Sequence, residues 1–293
     1  MGSEGVAVIL QDPSFRILTT LKYIHFNDQD VAEFSQLVGR WKQEESKSLR
    51  FHRQRLRAAA QACSWAQVSK QFESDDAALD LLRAIEQAIT KELPEPGHGC
   101  IKEIRVRVLV DGSGHVDVET VPMGNERPVR CLVDDGFYQL PTLLSPSSPS
   151  NDSGAPFSKV YVDFLPTRAS IFTAHKTTYR QAYNQARSRA EIVHAAPTDA
   201  EVLLFNSRRE ITEASLSTPY FFREGGWVTP AVVSGGMLSV TKLRASQGGF
   251  CTERLVTLDE LRHGEMIWLS NAVRGFFRGM IYMKDHTAKD WNQ

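Results

Sequence analysis

Cysteine is scarce in this chain: Cys63, Cys100, Cys131 and Cys251 stand far apart and form no CxxC pair. That spacing argues against a zinc site and against a disulfide framework. An excess of either charge is also missing, since 34 basic and 35 acidic residues leave a formal charge of −1. No overall field therefore recruits nucleic acid or an anionic membrane, and an anionic ligand must be held by local arginines. No apolar run approaches the ~18 residues that span a bilayer. The N-terminal Met1-Gly-Ser-Glu-Gly-Val-Ala-Val-Ile-Leu10 lacks a basic region ahead of its short apolar stretch, so no secretory signal is expected. The expectation is a reduced, cytoplasmic protein with no metal and neither a nucleic-acid nor a membrane partner.

What the chain does have is the composition of an ordinary globular protein, 42% hydrophobic and 24% charged over 293 residues. This length favours two domains over a single growing core. One break stands out: residues 141–156 hold four prolines and five serines and cannot build a core. We expect a smaller α/β domain over residues 1–140, a linker over 141–158 and a second domain over 159–293. The class is α+β, with both halves mixing helices and strands. In the first half, residues 15–23 read as a strand, 49–63 and 75–93 as helices, and 101–110 with 116–120 as a hairpin around Asp111-Gly-Ser-Gly114. In the second, a strand at 159–163 leads to a lysine followed by a helical run to residue 190. Strands follow at 201–205, 210–212 and 220–223, a helix from about 240, a strand near 254–256, a short helix at 258–263, and strands at 266–270 and 276–282.

The chemistry is expected in a few side chains. Lys176, in Phe172-Thr-Ala-His-Lys-Thr-Thr-Tyr-Arg180, reads as lying at a strand-to-helix junction, where burial or a neighbouring cation can make its amine nucleophilic toward an aldehyde cofactor. Glu213, in Ile211-Thr-Glu-Ala-Ser215, falls at the end of a predicted hairpin strand and suits pairing with a protonated pyridine nitrogen. Ser234-Gly-Gly-Met-Leu-Ser-Val-Thr241 runs from a glycine turn into a helix, whose first amides can meet a phosphate. Leu269-Ser-Asn-Ala-Val-Arg-Gly275 ends a strand in a turn of small polar residues. Arg55, in His52-Arg-Gln-Arg-Leu56, offers a fixed guanidinium from a helix. Each taken alone has a plain structural alternative: a solvated helix-start lysine, a surface glutamate, a helix cap, a β-turn and a basic helix face.

In this order, these stretches resemble the class IV, or fold-type IV, pyridoxal-phosphate enzymes, which include branched-chain and D-amino-acid aminotransferases and 4-amino-4-deoxychorismate lyases. His52 to Leu56 is similar to the family's HxxRL, Ile211 to Ser215 to its VTEGS, and Trp227-Val-Thr-Pro230 with Ser234 to Thr241 to its WVTP and SGxLPGxTR. The resemblance implies two α/β-type domains of the fold-type IV architecture with the cofactor site between them. It also implies pyridoxal 5'-phosphate as cofactor, held as a Schiff base on Lys176, with Arg55, Glu213, Val240, Thr241, Asn271 and Ala272 around it. A homodimer acting on a small-molecule substrate follows from the same resemblance. Four positions depart from the pattern. Leu238-Ser239 stands for the usual Pro-Gly, Thr218 for Asn, and Ala272 for a Ser or Thr.

Within the family, residues 15–23, Tyr161-Val-Asp-Phe-Leu-Pro166, Tyr183-Asn-Gln-Ala-Arg187 and Asn271-Ala-Val-Arg-Gly275 look like the fungal type of aminodeoxychorismate lyase. That resemblance implies conversion of 4-amino-4-deoxychorismate to 4-aminobenzoate and pyruvate, a step toward folate. Lys176 would act as base at C4, Thr19 or Thr20 would assist the leaving group (Thr20 the choice), and Arg107, Arg180 and Arg274 would meet the substrate carboxylates. The rival readings are a class IV aminotransferase acting on branched-chain, D-amino-acid or amine substrates, and a non-catalytic scaffold of the same fold.

Overall fold

The computed structural model of the chain describes residues 3–27, 34–132, 139–141 and 157–283. It divides into two compact units, Met1–Tyr138 with His175–Tyr179, and Gln139–Ala174 with Arg180–Gln293. The lysine-bearing stretch, expected in the second domain, groups with the first unit. Most of the expected linker, residues 142–156, lies outside the described residues.

The first unit opens with helix α1 (Ser3–Gln11), which the sequence reading left as a short apolar stretch, followed by strand β1 (Ile17–Phe26). Helix α2 (Ser35–Ala62) runs 28 residues, well beyond the expected 49–63. Its buried stripe of Val38, Trp41, Glu45, Leu49, His52, Leu56 and Ala59 recurs every three or four positions, the spacing of one helix face. Two of those core positions, Glu45 and His52, are ionisable. Short helix α3 (Ala66–Gln71) and helix α4 (Asp76–Glu92) follow; α4 buries Ala77, Ala78, Leu81, Ile85 and Ile89. Strands β2 (Cys100–Val110) and β3 (Val116–Pro122) form the expected hairpin. Its turn is held by Asp111, whose Oδ1 accepts from the amides of Ser113 and His115, a local side-chain closure. The antiparallel sheet order is β1-β2-β3, with the two-residue β4 (Arg127–Pro128) also pairing β2.

The second unit is built on an eight-stranded sheet. Its members are β5 (Ser158–Val162), β6 (Ala200–Phe205), β7 (Ile211–Ala214), β8 (Thr218–Arg223), β9 (Gly226–Pro230), β10 (Cys251–Arg254), β11 (Met266–Asn271) and β12 (Gly275–Tyr282). The order is β10-β9-β8-β11-β12-β5-β6-β7, parallel at β9/β10, β12/β5 and β5/β6 and antiparallel elsewhere. The sheet curls on itself, since the Ile211 amide of β7 donates to the carbonyl of Val256 just past β10. Val160, Leu203, Phe205, Phe221, Leu269 and Ile281 fill its interior. Helix α5 (Ile171–Ala174) precedes the lysine stretch and α6 (Gln181–Arg189) follows it. Tyr183 and Ala186 of α6 pack on Val202 and Leu204, so β6 is buried on both faces and carries no polar alternation apart from Glu201. Helix α7 (Val240–Gln247) packs Ala245 against Tyr220 and Trp227. Several elements differ from expectation: β9 was not expected as a strand, β7 ends two residues late, β8 begins two residues early and β10 three, and the 258–263 helix is a 3-10 turn at Leu258–Glu260. No helix among the described residues is long and apolar enough to cross a membrane. None of their His, Cys, Asp and Glu groups could hold a metal ion.

Candidate active site

In the first unit Lys176 is half-buried and lies in an extended segment, not at a helix start. Its carbonyl accepts from the Leu18 amide at 2.9 Å, the Thr178 amide donates to Arg16 at 2.9 Å, and Ile17 and Thr177 form an antiparallel bridge. Thr177, Thr178 and Tyr179 are β-branched or aromatic, types that suit a strand edge more than a first helical turn, and the helix begins only at Gln181. The amine is thereby carried by backbone bonded to β1.

His52 and Arg55 stand one turn apart on α2, both buried. His52 is fully enclosed, and its Nδ1 shares a hydrogen bond of 2.6 Å with Thr19 Oγ1. Burial, then the charges of Arg55 and Lys176, push its pKa down to about 3, so the imidazole is neutral at ordinary pH. Burial and Arg55 also lower His175. The charges felt at His52 are thus two cations, an arrangement that favours an anion such as a phosphate nearby. Thr19 is engaged by His52, whereas Thr20 leaves β1 on the opposite face, in register with Arg107 on β2. Arg107 donates to Glu119 at 2.6 Å, with about a third of its side chain exposed.

In the second unit Glu213 owes its direction to a β-bulge. Along β6 and β7, Leu204 faces Glu213 and Phe205 faces Ile211, so Thr212 is an extra residue. Plain alternation would place Ile211 and Glu213 on one face. The bulge instead leaves Ile211 and Ala214 in the interior core and turns Glu213 toward α6. There its Oε1 accepts from Tyr183 Oη at 2.6 Å and from the Met237 amide at 3.2 Å. The latter contact needs glycine upstream: a Cβ on Gly236 would collide with the Thr212 carbonyl. Gly235, at φ +99, takes the left-handed turn that starts the approach.

Beyond that turn Ser239 caps α7, its hydroxyl accepting from the Lys242 amide at 3.0 Å. The first-turn amides of Val240 and Thr241 have no carbonyl one turn back to meet. Hydroxyls surround this helix end. Thr218 and Ser239 share a 2.5 Å hydrogen bond, Ser270 donates to Thr241 at 2.8 Å, and Tyr220 contacts Ser270 at 2.9 Å. Two of the departures from the family pattern, at 218 and 239, therefore touch each other. Amides, the positive helix end and hydroxyl donors fit an anionic group. Asn271 Oδ1 accepts from the amides of Val273 and Arg274, so it shapes the turn in which Ala272 lies; Arg274 itself is exposed.

Arg180, expected near a substrate carboxylate, donates to the Ser215 carbonyl at 2.7 Å and lies 4.6 Å over the Tyr183 ring. The structure gives it a bracing contact. Arg187 and Glu201, buried and unassigned from the sequence, pair at 3.2 Å; Arg187 also reaches Ser215 Oγ and the Ile192 and Ala195 carbonyls. Burial pushes Glu201 up to about 7 against the opposing pull of the Leu216 amide, Ser215 and Arg187. Tyr183 and Arg187 are four apart on a predicted helix, the one sequence signal for this cluster.

The model of the family described as amino-transferase class IV matches residues 38–279, and the chain belongs to that family. Among curated relatives, a Schizosaccharomyces pombe protein provisionally named aminodeoxychorismate lyase is 23% identical over 81% of this chain and 85% of its own length. The Saccharomyces cerevisiae aminodeoxychorismate lyase is 27% identical over 61% of this chain and 52% of its own length. The solved 4-amino-4-deoxychorismate lyase of Pseudomonas aeruginosa matches 93% of this chain and 84% of that chain, with TM-score 0.53 and 15% identity. A Mesorhizobium loti structure provisionally described as an amino-acid aminotransferase matches 92% and 100%, with TM-score 0.56 and 18% identity. At such identities the structures speak for the fold, which is that of fold-type IV enzymes.

Proposed function

We infer that this protein is a pyridoxal-phosphate-dependent aminodeoxychorismate lyase, releasing pyruvate and 4-aminobenzoate from 4-amino-4-deoxychorismate. The observation that carries the reading is the buried Glu213 carboxylate, turned by a bulge and tied to Tyr183 and the Met237 amide on the same unit as the hydroxyl-lined end of α7. The two fungal relatives' names support the lyase branch.

Pyridoxal phosphate, when bound, supplies the carbonyl that captures the substrate amine and the ring that accepts the electron pair left at C4. Glu213 would hold a proton at the pyridine nitrogen. The Val240 and Thr241 amides of the second unit would hold the phosphate, a role that the family resemblance also gives Arg55. Lys176 would take the proton from substrate C4 with its amine. Thr20, on the face of β1 opposite Thr19, would be the hydroxyl that donates toward the departing C3 ether oxygen. Loss of that oxygen aromatises the ring, so no amino acceptor is consumed.

The test is to incubate the protein and pyridoxal phosphate with aminodeoxychorismate while following both products, with and without a keto acid. Equimolar pyruvate and 4-aminobenzoate without keto acid is the expected result. Amination of the keto acid, with no 4-aminobenzoate, would assign an aminotransferase instead.

A further inference from the structure

We propose that Tyr183 is a positioning residue for Glu213, orienting its carboxylate and limiting its basicity so that the proton stays on the ligand's ring nitrogen. The inference rests on the cofactor reading above and concerns residues of the second unit alone.

Three observations carry it. The Tyr183 side chain is 2% exposed, and its hydroxyl lies between two acceptors, Glu213 Oε1 at 2.6 Å and the Thr173 carbonyl at 3.1 Å. A phenol has one hydrogen. With Glu213 ionised, that hydrogen goes to the carboxylate, the closer and charged acceptor. With Glu213 protonated, the acid can donate to the phenol oxygen while the phenol turns its hydrogen to Thr173, so the phenol donates to Glu213 only in its charged form.

The second observation is that the hydroxyl cannot drift. Arg180 stacks on the ring at 4.6 Å and donates to Ser215 at 2.7 Å, while Arg187, four residues along α6, grips Glu201 and Ser215. Third, Oε1 also receives the Met237 amide. Two donors on one oxygen fix the carboxylate plane and stabilise its charged form, lowering its affinity for a proton. A carboxylate that competes weakly for the shared proton leaves the pyridine nitrogen protonated and electron-withdrawing.

Tyr183→Phe keeps the ring and its stacking and removes the hydroxyl. Loading wild type, Tyr183→Phe, Glu213→Gln and the double variant with pyridoxal phosphate carrying nitrogen-15 in the ring reads the protonation directly. In Tyr183→Phe the ring resonance is expected to move part of the way toward that of Glu213→Gln, and cofactor affinity to weaken about tenfold, the scale of a hydrogen bond to a charged group. In the Glu213→Gln background the Phe substitution should move the resonance no further. A resonance unchanged by Tyr183→Phe but moved by Glu213→Gln overturns the positioning role and leaves the cofactor reading intact. Failure of wild type to form a borohydride-trappable adduct overturns both. Should the Phe variant unfold, 3-fluorotyrosine placed at 183 keeps the shape and donates more strongly. It should shift the resonance toward the fully protonated side; no movement overturns the proposal.

Discussion

Around Lys176 and around Glu213 the two units handle charge differently, although the first also cross-links buried ions elsewhere, Arg53 to Asp75 and Lys22 to Glu103. In the first, Lys176 and Arg55 act on a histidine that burial has already made neutral, and the nearest anchoring is backbone pairing to β1. In the second, ionisable groups are cross-linked: Glu213 to Tyr183, Glu201 to Arg187 and Ser215, Arg180 to Ser215. The contrast teaches a division of labour. A base that must pick up and release a proton needs an amine on a defined backbone with its neighbours kept neutral, whereas a proton-holding acid needs a rigid set of donors.

The largest test of this contrast is Lys176→Ala. It should reduce turnover by at least about a thousandfold and abolish borohydride trapping, while the thermal unfolding profile stays that of the wild type. Loss of folding together with activity would place the lysine in the structural column instead. Next is Arg187→Met, which strands Glu201 in a fully buried site. Breaking one partner of such a pair costs about 3–5 kcal/mol, to be measured by urea denaturation; a loss below about 1 kcal/mol would show that the cross-linking is dispensable.

A third test probes the buried ionisable groups of the first unit by pH. His52 has its folded pKa near 3 against an ordinary 6.5, so the unfolded chain binds the extra proton and stability should fall as pH drops through that window. Glu45, on the same helix, is pushed up to about 8 by burial first and then by Glu86, with Lys42 opposing. There the folded chain holds the proton, so the contribution is full below about 4.5 and is lost as pH rises toward 8. Glu45→Gln should flatten the fall in stability between about pH 4.5 and 8 and leave the loss below that window alone; an unchanged slope across it would remove Glu45 as its origin.

The smallest effect concerns the Thr218–Ser239 contact. Ser239→Ala should cost about 1 kcal/mol as a lost helix cap. Combined with Thr218→Val, the losses should be non-additive by roughly 0.5–1 kcal/mol, since the two hydroxyls touch. Strict additivity would mean that the two departures from the family pattern are independent.

Much of this site was legible along the chain. The β2–β3 hairpin, the β6–β7 hairpin bearing Glu213, the helix bearing Arg55 and the glycine turn into α7 could all be placed, because each depends on short-range periodicity and turn chemistry. Lys176 could be singled out but its local structure was misread: residues 177–179 have strand character, yet only pairing with β1 shows that it is used. The bulge at Thr212 left no trace in the alternation of four residues. Arg180 looked available to a substrate until its contacts with Ser215 and Tyr183 were seen.

Sequence by itself determined the class of fold and the elements that bear Arg55 and Glu213, since these follow from residue type and spacing. Tertiary structure alone decided which way Glu213 points, that burial lowers the pKa of His52, that Tyr183 donates to Glu213 and that residues 218 and 239 meet. Each of those depends on desolvation or on a hydrogen bond between groups far apart in the chain, and neither is encoded in any local window.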